Sequence, residues 1–255
     1  MNRATWKGRL LGAALCLFGS AAFAQTPPAA IEFDPSNALL AEWFGRVALQ
    51  SENRQGIERP IVKWAAPVRI GVMGDRVPIF RPFVERHVQL LRRITGHDIQ
   101  VITAGQANFV VVFTPDIFAQ PQGNVRNAMR ALMGGDDAAL EAFVANQPRT
   151  ANCYFNVRGG GQGIAGALAV IPSQRDPSTA WRCIVEEITQ SLGLFNDSEL
   201  NTYSIFNDRT PYVDLTPPDE MMLKLLYEPR MRIGTPPADA KALARRLLDE
   251  WRPGR

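Results

Sequence analysis

Residues 183–197 read CIVEEITQSLGLFND, and the fold turns on how this stretch is read. Ahead of it, Asp176 and Pro177 form an N-cap and first-turn pair, so a helix opens there and runs to about Leu192. On a helical wheel Trp181, Ile184, Val185, Ile188 and Leu192 fall together, with Glu186 and Gln190 nearly opposite. That is the pattern of an amphipathic surface helix, whose polar face taken alone would be solvated. Residues four apart share one helical face, so Glu186 and Gln190 are neighbours in space. Gly193 can supply the left-handed bend that ends such a helix, returning Asn196 and Asp197 toward Glu186, Glu187 and Gln190.

Working outward, the chain alternates strand and helix patterns. A first amphipathic helix fits Asn37 to Gln50, with Leu40, Phe44 and Val47 at helical spacing. Pro67 to Gly74 reads as a strand, Phe80 to Thr95 as a helix stopped by Gly96, and Asp98 to Thr103 as a second strand. The FVVVF run within Phe109 to Thr114 implies a strand buried on both faces. Asp116 to Pro148 is rich in Gln, Asn, Gly and Ala, with short helical patterns at Val125–Met133 and Ala138–Asn146. It reads as a helical insertion over one edge of the sheet. Strands at Asn152–Val157 and Ile164–Ile171 flank a glycine-rich turn. No Lys-Ser/Thr follows those glycines and a strand comes next, which favours a hairpin over a phosphate loop. Pro217 to Tyr227 and Asp239 to Trp251 close the chain as helices.

Residues 186–197 resemble the metzincin peptidase motif HExxHxxGxxH(D). Glu186, Gln190 and Asn196 stand at the three histidine positions, while Glu187, Gly193 and Asp197 match. Ser204-Ile205-Phe206 is similar to the Ser-Ile-Met turn that floors the metal in those enzymes. Leu215-Thr216-Pro217-Pro218-Asp219, with Leu223, Leu226 and Tyr227 after it, resembles the opening of the last matrixin helix. The stretch from Cys183 through Tyr227-Glu228-Pro229-Arg230 looks closer still to a bacterial exported family of uncharacterised function. In that family the Glu-Glu-x-x-Gln pattern is typical. The resemblance implies an α+β, zincin-like fold: a twisted mixed sheet of about five strands with packed helices and a C-terminal helical part. It also implies a substrate-pairing edge strand just before the motif helix, here Ile164 to Ile171.

The chemistry departs from that pattern. The two histidines of the chain, His87 and His97, lie in the earlier helix and the turn after it, and read as boundary and turn residues. Glutamine and asparagine offer neutral carbonyl oxygens, poor partners for zinc beside imidazole or thiolate, so no zinc cofactor is expected. Glu186, Gln190, Asn196 and Asp197 are oxygen donors of the kind that calcium, magnesium or manganese prefer. Glu187 is the candidate general base of any residual hydrolase. Base assistance alone contributes roughly 10²–10⁴-fold, far short of what peptide hydrolysis demands. The expected function is therefore a non-proteolytic scaffold that binds a peptide or protein in a degenerate substrate groove. A hydrolase with an oxygen-ligated, non-zinc metal is the alternative. A third reading is structural, with Glu187 and Gln190 tying the helix to neighbouring loops.

Arg3, Lys7 and Arg9, the apolar run Leu10–Phe18 and the small-x-small site Ala22-Phe23-Ala24 form a secretory signal pattern over residues 1–24. A flexible tail is expected over 25–36, then a single domain over 37–252 with the insertion at about 116–148. The expected location is periplasmic or secreted, with no membrane partner after cleavage. The chain holds 28 basic and 25 acidic residues; the leader carries three basic and no acidic ones, so the remainder is formally neutral. That removes the positive charge on which nucleic-acid binding rests. Cys16 leaves with the leader, so Cys153 and Cys183 are the only intramolecular pair in the mature chain. In an oxidising compartment we expect them to bond; two buried free thiols are the other reading.

Overall fold

The computed structural model describes residues 33–50 and 57–255. The expected leader, and the expected tail up to residue 32, lie outside the described residues. Asp34–Arg255 forms one compact unit. Its elements run α1 (Asn37–Leu49), β1 (Val68–Gly74), α2 (Val77–Thr95), β2 (Ile99–Ile102), β3 (Phe109–Thr114), α3 (Gly123–Leu132), α4 (Asp137–Ala145), β4 (Tyr154–Gly160), β5 (Gly163–Pro172), α5 (Pro177–Gln190), α6 (Pro217–Tyr227) and α7 (Pro237–Trp251). The fold is α+β, and the five strands form one mixed sheet in the order β2-β1-β3-β5-β4. β1, β2, β3 and β5 run parallel, while β4 pairs antiparallel with β5.

The side chains of a strand alternate between the two faces of its sheet, and this sorts the helices into layers. Val110, Val112, Leu168 and Val170 point to one face, where Met129 of α3, Leu140 and Val144 of α4 and Tyr154 of β4 complete a buried cluster. Phe113, paired with Ile171, points to the other face and stacks on Phe80 of α2 at 4.5 Å between ring centroids. α5 packs on α2 and against β5 and β4. Beyond them α1 lies against α6 and α7. The FVVVF strand is buried on both faces, as its composition predicts.

Most elements begin and end where residue chemistry dictates. Asp176 caps α5 by accepting from the Ser178 and Thr179 amides. Thr216 and Asp219 form a reciprocal capping box on α6. α2 starts three residues ahead of the expected Phe80, because Pro78 is tolerated in a first helical turn. The β2–β3 connection is short and crosses β1 at Gly71, where an added Cβ would stand 3.1 Å from the Ala107 Cβ.

Two expectations are corrected. Residues 164–171 fall in an interior strand, since β5 is flanked by β3 and β4, and the edge belongs to β4. The chain reaches β5 through a tight hairpin from β4, so the later strand turns inward to pair with β3. The helical segment of 116–148 does not sit over an edge; it lies on a face, because Met129, Leu140 and Val144 seek the apolar surface of β3 and β5.

Candidate functional site

The polar side of α5 is not solvated. Glu186 is 6% exposed, Glu187 5% and Gln190 2%, so the whole second half of the helix is buried. The reason is tertiary. The segments after Gly193 fold back over what would have been a surface. Gly193 has φ 127°, and an added Cβ would stand 2.5 Å from the Val62 carbonyl oxygen. Only glycine allows the chain to leave the helix so close to that backbone.

Buried polar groups need partners, and the returning chain supplies them. Gln190 Nε2 donates to Asp197 Oδ1 at 2.6 Å. Arg182, one turn before Glu186 on α5, lies with Nε 3.4 Å from Glu186 Oε2. Its other nitrogens donate to the carbonyls of Thr210 (2.8 Å), Asn207 (3.3 Å) and Ile205 (3.4 Å), and one lies 3.6 Å from Asp208 Oδ1. One guanidinium thus holds the 205–210 loop onto the helix. Carboxylate oxygens of Glu186, Asp197 and Asp208 lie within 4.8 Å of one another.

The floor is built from the two downstream segments singled out in the sequence. Ile205 and Phe206 are fully buried. Asp219 holds the turn: Ser204 Oγ donates to it at 2.5 Å, the Ile205 amide at 3.0 Å and the Thr216 amide at 2.9 Å. Burial pushes the Asp219 carboxyl up to about 6, against these hydrogen bonds, which pull it down. The Cys153–Cys183 disulfide is present and ties the start of β4 to α5.

Not all the expected residues converge. Glu186, Gln190 and Asp197 meet, but Asn196 turns away. Its side-chain amide donates to the Arg46 carbonyl at 3.2 Å and its backbone amide to Val47 at 3.1 Å. The last carbonyls of α1 have no intrahelical donor, and Asn196 satisfies two of them. Glu187 is buried on α5 and is not among the three clustered carboxylates. His87 is a second correction: it is 1% exposed rather than a boundary residue. Its Nε2 lies 2.9 Å from Thr189 Oγ1, and that hydroxyl donates to the Val185 carbonyl at 2.6 Å. Thr189 Oγ therefore accepts from His87, which fixes the proton on Nε2. Burial pulls the imidazole down to about 3. His97 is half-buried in its turn, with Nε2 2.9 Å from the Ala66 carbonyl oxygen.

These residues do not fit zinc. The three positions hold a carboxylate and two amides; one amide is committed to Asp197, the other to α1, and a guanidinium already faces the carboxylate. A model of the family described as "Protein of unknown function (DUF2927)" matches residues 37–246. The chain belongs to that family. The matched span of this DUF2927 chain runs from the start of α1 into α7, so it takes in the sheet, the α5 network and the Asp219 floor. No functionally curated protein matches the chain.

Two residues of the DUF2927 site escaped sequence reasoning. Arg182 sits four residues before Glu186, a spacing that signals a helix-face ion pair. Asp208 ends the SIFND stretch, and only its approach to α5 gives it meaning.

Proposed function

We propose that this is an exported, zincin-like but non-hydrolytic protein that binds an extended peptide or partner segment along β4. The observation that carries this reading is the position of β4. It is the antiparallel edge strand, paired among the described residues with β5 alone. An open edge offers a row of backbone donors and acceptors to an incoming strand. Two features support β4 in particular. Its start is pinned to α5 by the Cys153–Cys183 disulfide, and Phe155 stacks on Phe195, 6.3 Å between centroids, where the chain leaves α5. A cavity of about 230 Å³ opens beside the other end, between Val157, Gly159 and Phe195, with Arg59 4.1 Å over the Phe195 ring. Main-chain pairing would supply affinity, and the cavity would select a side chain.

The α5 network supports the non-hydrolytic reading. Arg182 supplies a fixed positive charge to Glu186 and Asp208, where a peptidase would need a Lewis acid. The competing reading, a hydrolase using Glu187 with an oxygen-ligated cation, draws on the three clustered carboxylates.

One experiment separates them. The mature protein, purified without chelators, is incubated with a tiled array of extended peptides, and captured peptides are assayed by anisotropy, hydrogen exchange and mass spectrometry. Binding by strand addition protects the amides of residues 154–160 and leaves the peptide intact, and Val157→Asp weakens it at least tenfold. Protection elsewhere with β4 unchanged, or no capture at all, would remove the proposal. Cleavage that disappears in Glu187→Gln and on chelation would install the hydrolase instead.

A further inference from the structure

A second cavity, of about 270 Å³, lies at the carboxyl ends of the parallel strands, and no residue of α5 lines it. β1 leads through α2 to β2 on one side, while β3 lies on the other side of β1. The strand order therefore reverses between β1 and β3. α2 packs on the Phe113 face and α3 on the Val112 face, so the chains leaving β1 and β3 part to opposite faces. In open parallel sheets such a reversal leaves a crevice at the carboxyl ends of the strands, and ligands bind there. The cavity is lined by Gly74 and Asp75 at the end of β1 and by Thr114 and Pro115 at the end of β3. It sits at that crevice.

The backbone there is held under constraint. Gly74 has φ 101°, and an added Cβ would meet the Phe113 carbonyl oxygen at 2.0 Å. Arg76 has φ 52°, the one positive value for a non-glycine residue among the described residues. Strain of this kind persists where surrounding structure enforces it, and it clusters at ligand sites. Asp75, between these two residues, lines the cavity, while Arg76 is drawn off to the Ser173 carbonyl at 3.0 Å.

The lining states the ligand's chemistry. The inner wall is apolar, built by Val112, Val170, Ile117 and Met129. Asp75 is the one charged residue lining the cavity, and no basic side chain lines it. Among the described residues its side-chain hydrogen bonds, from Ser173 Oγ at 2.7 Å and Gln174 Nε2 at 3.4 Å, both fall on Oδ2. Oδ1 is the atom open to a donor. A cavity of ~150 Å³ admits benzene, so this one has room for a ring and a short chain. We infer that this cavity is a binding site for a compact organic cation, an ammonium head at Asp75 with an apolar body of about one aromatic ring against Met129 and Val170. The inference does not rest on peptide binding at β4, although Tyr154 at the start of that strand also lines the cavity.

Three probes that share a phenylethyl body test this by calorimetry and ligand-observed NMR on the full mature chain: 2-phenylethylamine, 3-phenylpropanoate and ethylbenzene. The amine binds, and the anion binds at least tenfold more weakly. Asp75→Asn, which keeps an oxygen for Ser173, lowers amine affinity about tenfold and brings it level with ethylbenzene. Val125→Trp, at a half-buried position lining the cavity on α3, fills the space and abolishes binding of all three. Melting curves confirm that each variant is folded. Equal affinity for the three probes, no binding of the amine, or an amine affinity unchanged by Asp75→Asn in a folded protein each overturns the inference.

Discussion

At the residue scale, Arg182 ties the polar face of α5 to the loop that returns over it. Its guanidinium joins Glu186 to three carbonyls of the 205–210 loop. Removing one partner of a buried pair leaves the other charge uncompensated, which costs about 3–5 kcal/mol; Arg182 is partly exposed, so the lower end applies. We expect Arg182→Met to destabilise the protein by about 3 kcal/mol in urea titration, and Arg182→Met/Glu186→Gln to recover part of that loss. A double mutant no better than the single one would show that the pair is not the linkage. His87 gives a pH signature. Its imidazole stays neutral in the fold down to about 3, whereas in the unfolded chain it protonates near the ordinary histidine value of 6.5. Between these values the unfolded state binds the extra proton, so this contribution is fully present above pH 6.5 and is lost as pH falls toward 3. Asp219 has the opposite sign. Its carboxyl, at about 6 in the fold against 3.8 unfolded, holds a proton in the fold that the unfolded chain has released, so its contribution declines as pH rises from about 4 to 6. His87 has the wider window, and His87→Gln should flatten the acid limb of stability between pH 3 and 6.5. An unchanged slope would place the acid sensitivity elsewhere.

At the element scale, the arrangement depends on how α5 is tethered at each end. The disulfide spans 30 residues between β4 and α5, and closing a loop of that length contributes roughly 3–4 kcal/mol in the chain-entropy model. Cys153→Ser/Cys183→Ser is expected to lower stability by about that amount and to raise hydrogen exchange in β4 first, because the tether sits at its start. Uniform loosening of the sheet would argue that the bond stabilises the chain globally. At the other end, Gly193 combines a positive φ with a backbone oxygen 2.5 Å from where a Cβ would stand. Gly193→Ala should cost at least 2 kcal/mol, since strain and a clash with backbone act together. A smaller loss would mean the 62–63 segment yields readily.

At the scale of the whole molecule, the same sheet offers two separate opportunities, an open edge at β4 and a crevice between β1 and β3. None of the described helices is long and apolar enough to cross a membrane. The protein should melt at the same temperature with zinc or EDTA, because Gln190 is committed to Asp197, Asn196 to the end of α1, and Arg182 faces Glu186. A zinc-dependent rise of several degrees would show that these side chains rearrange around an ion.

Local sequence determined the elements themselves. Asp176-Pro177, Thr216 with Asp219, and the FVVVF run carry their caps and periods within a few residues, so α5, α6 and β3 were legible from the chain alone. The motif spacing likewise placed Glu186, Gln190 and Asp197 together, because a helical turn and a glycine bend are short-range geometry. Only the tertiary structure decided that β4 rather than β5 is the edge, since strand order depends on contacts between distant segments. It also decided that Asn196 caps α1 and that His87 is buried against Thr189. In each case the partner lies far along the chain, and no local periodicity records which distant carbonyl or hydroxyl a side chain will meet.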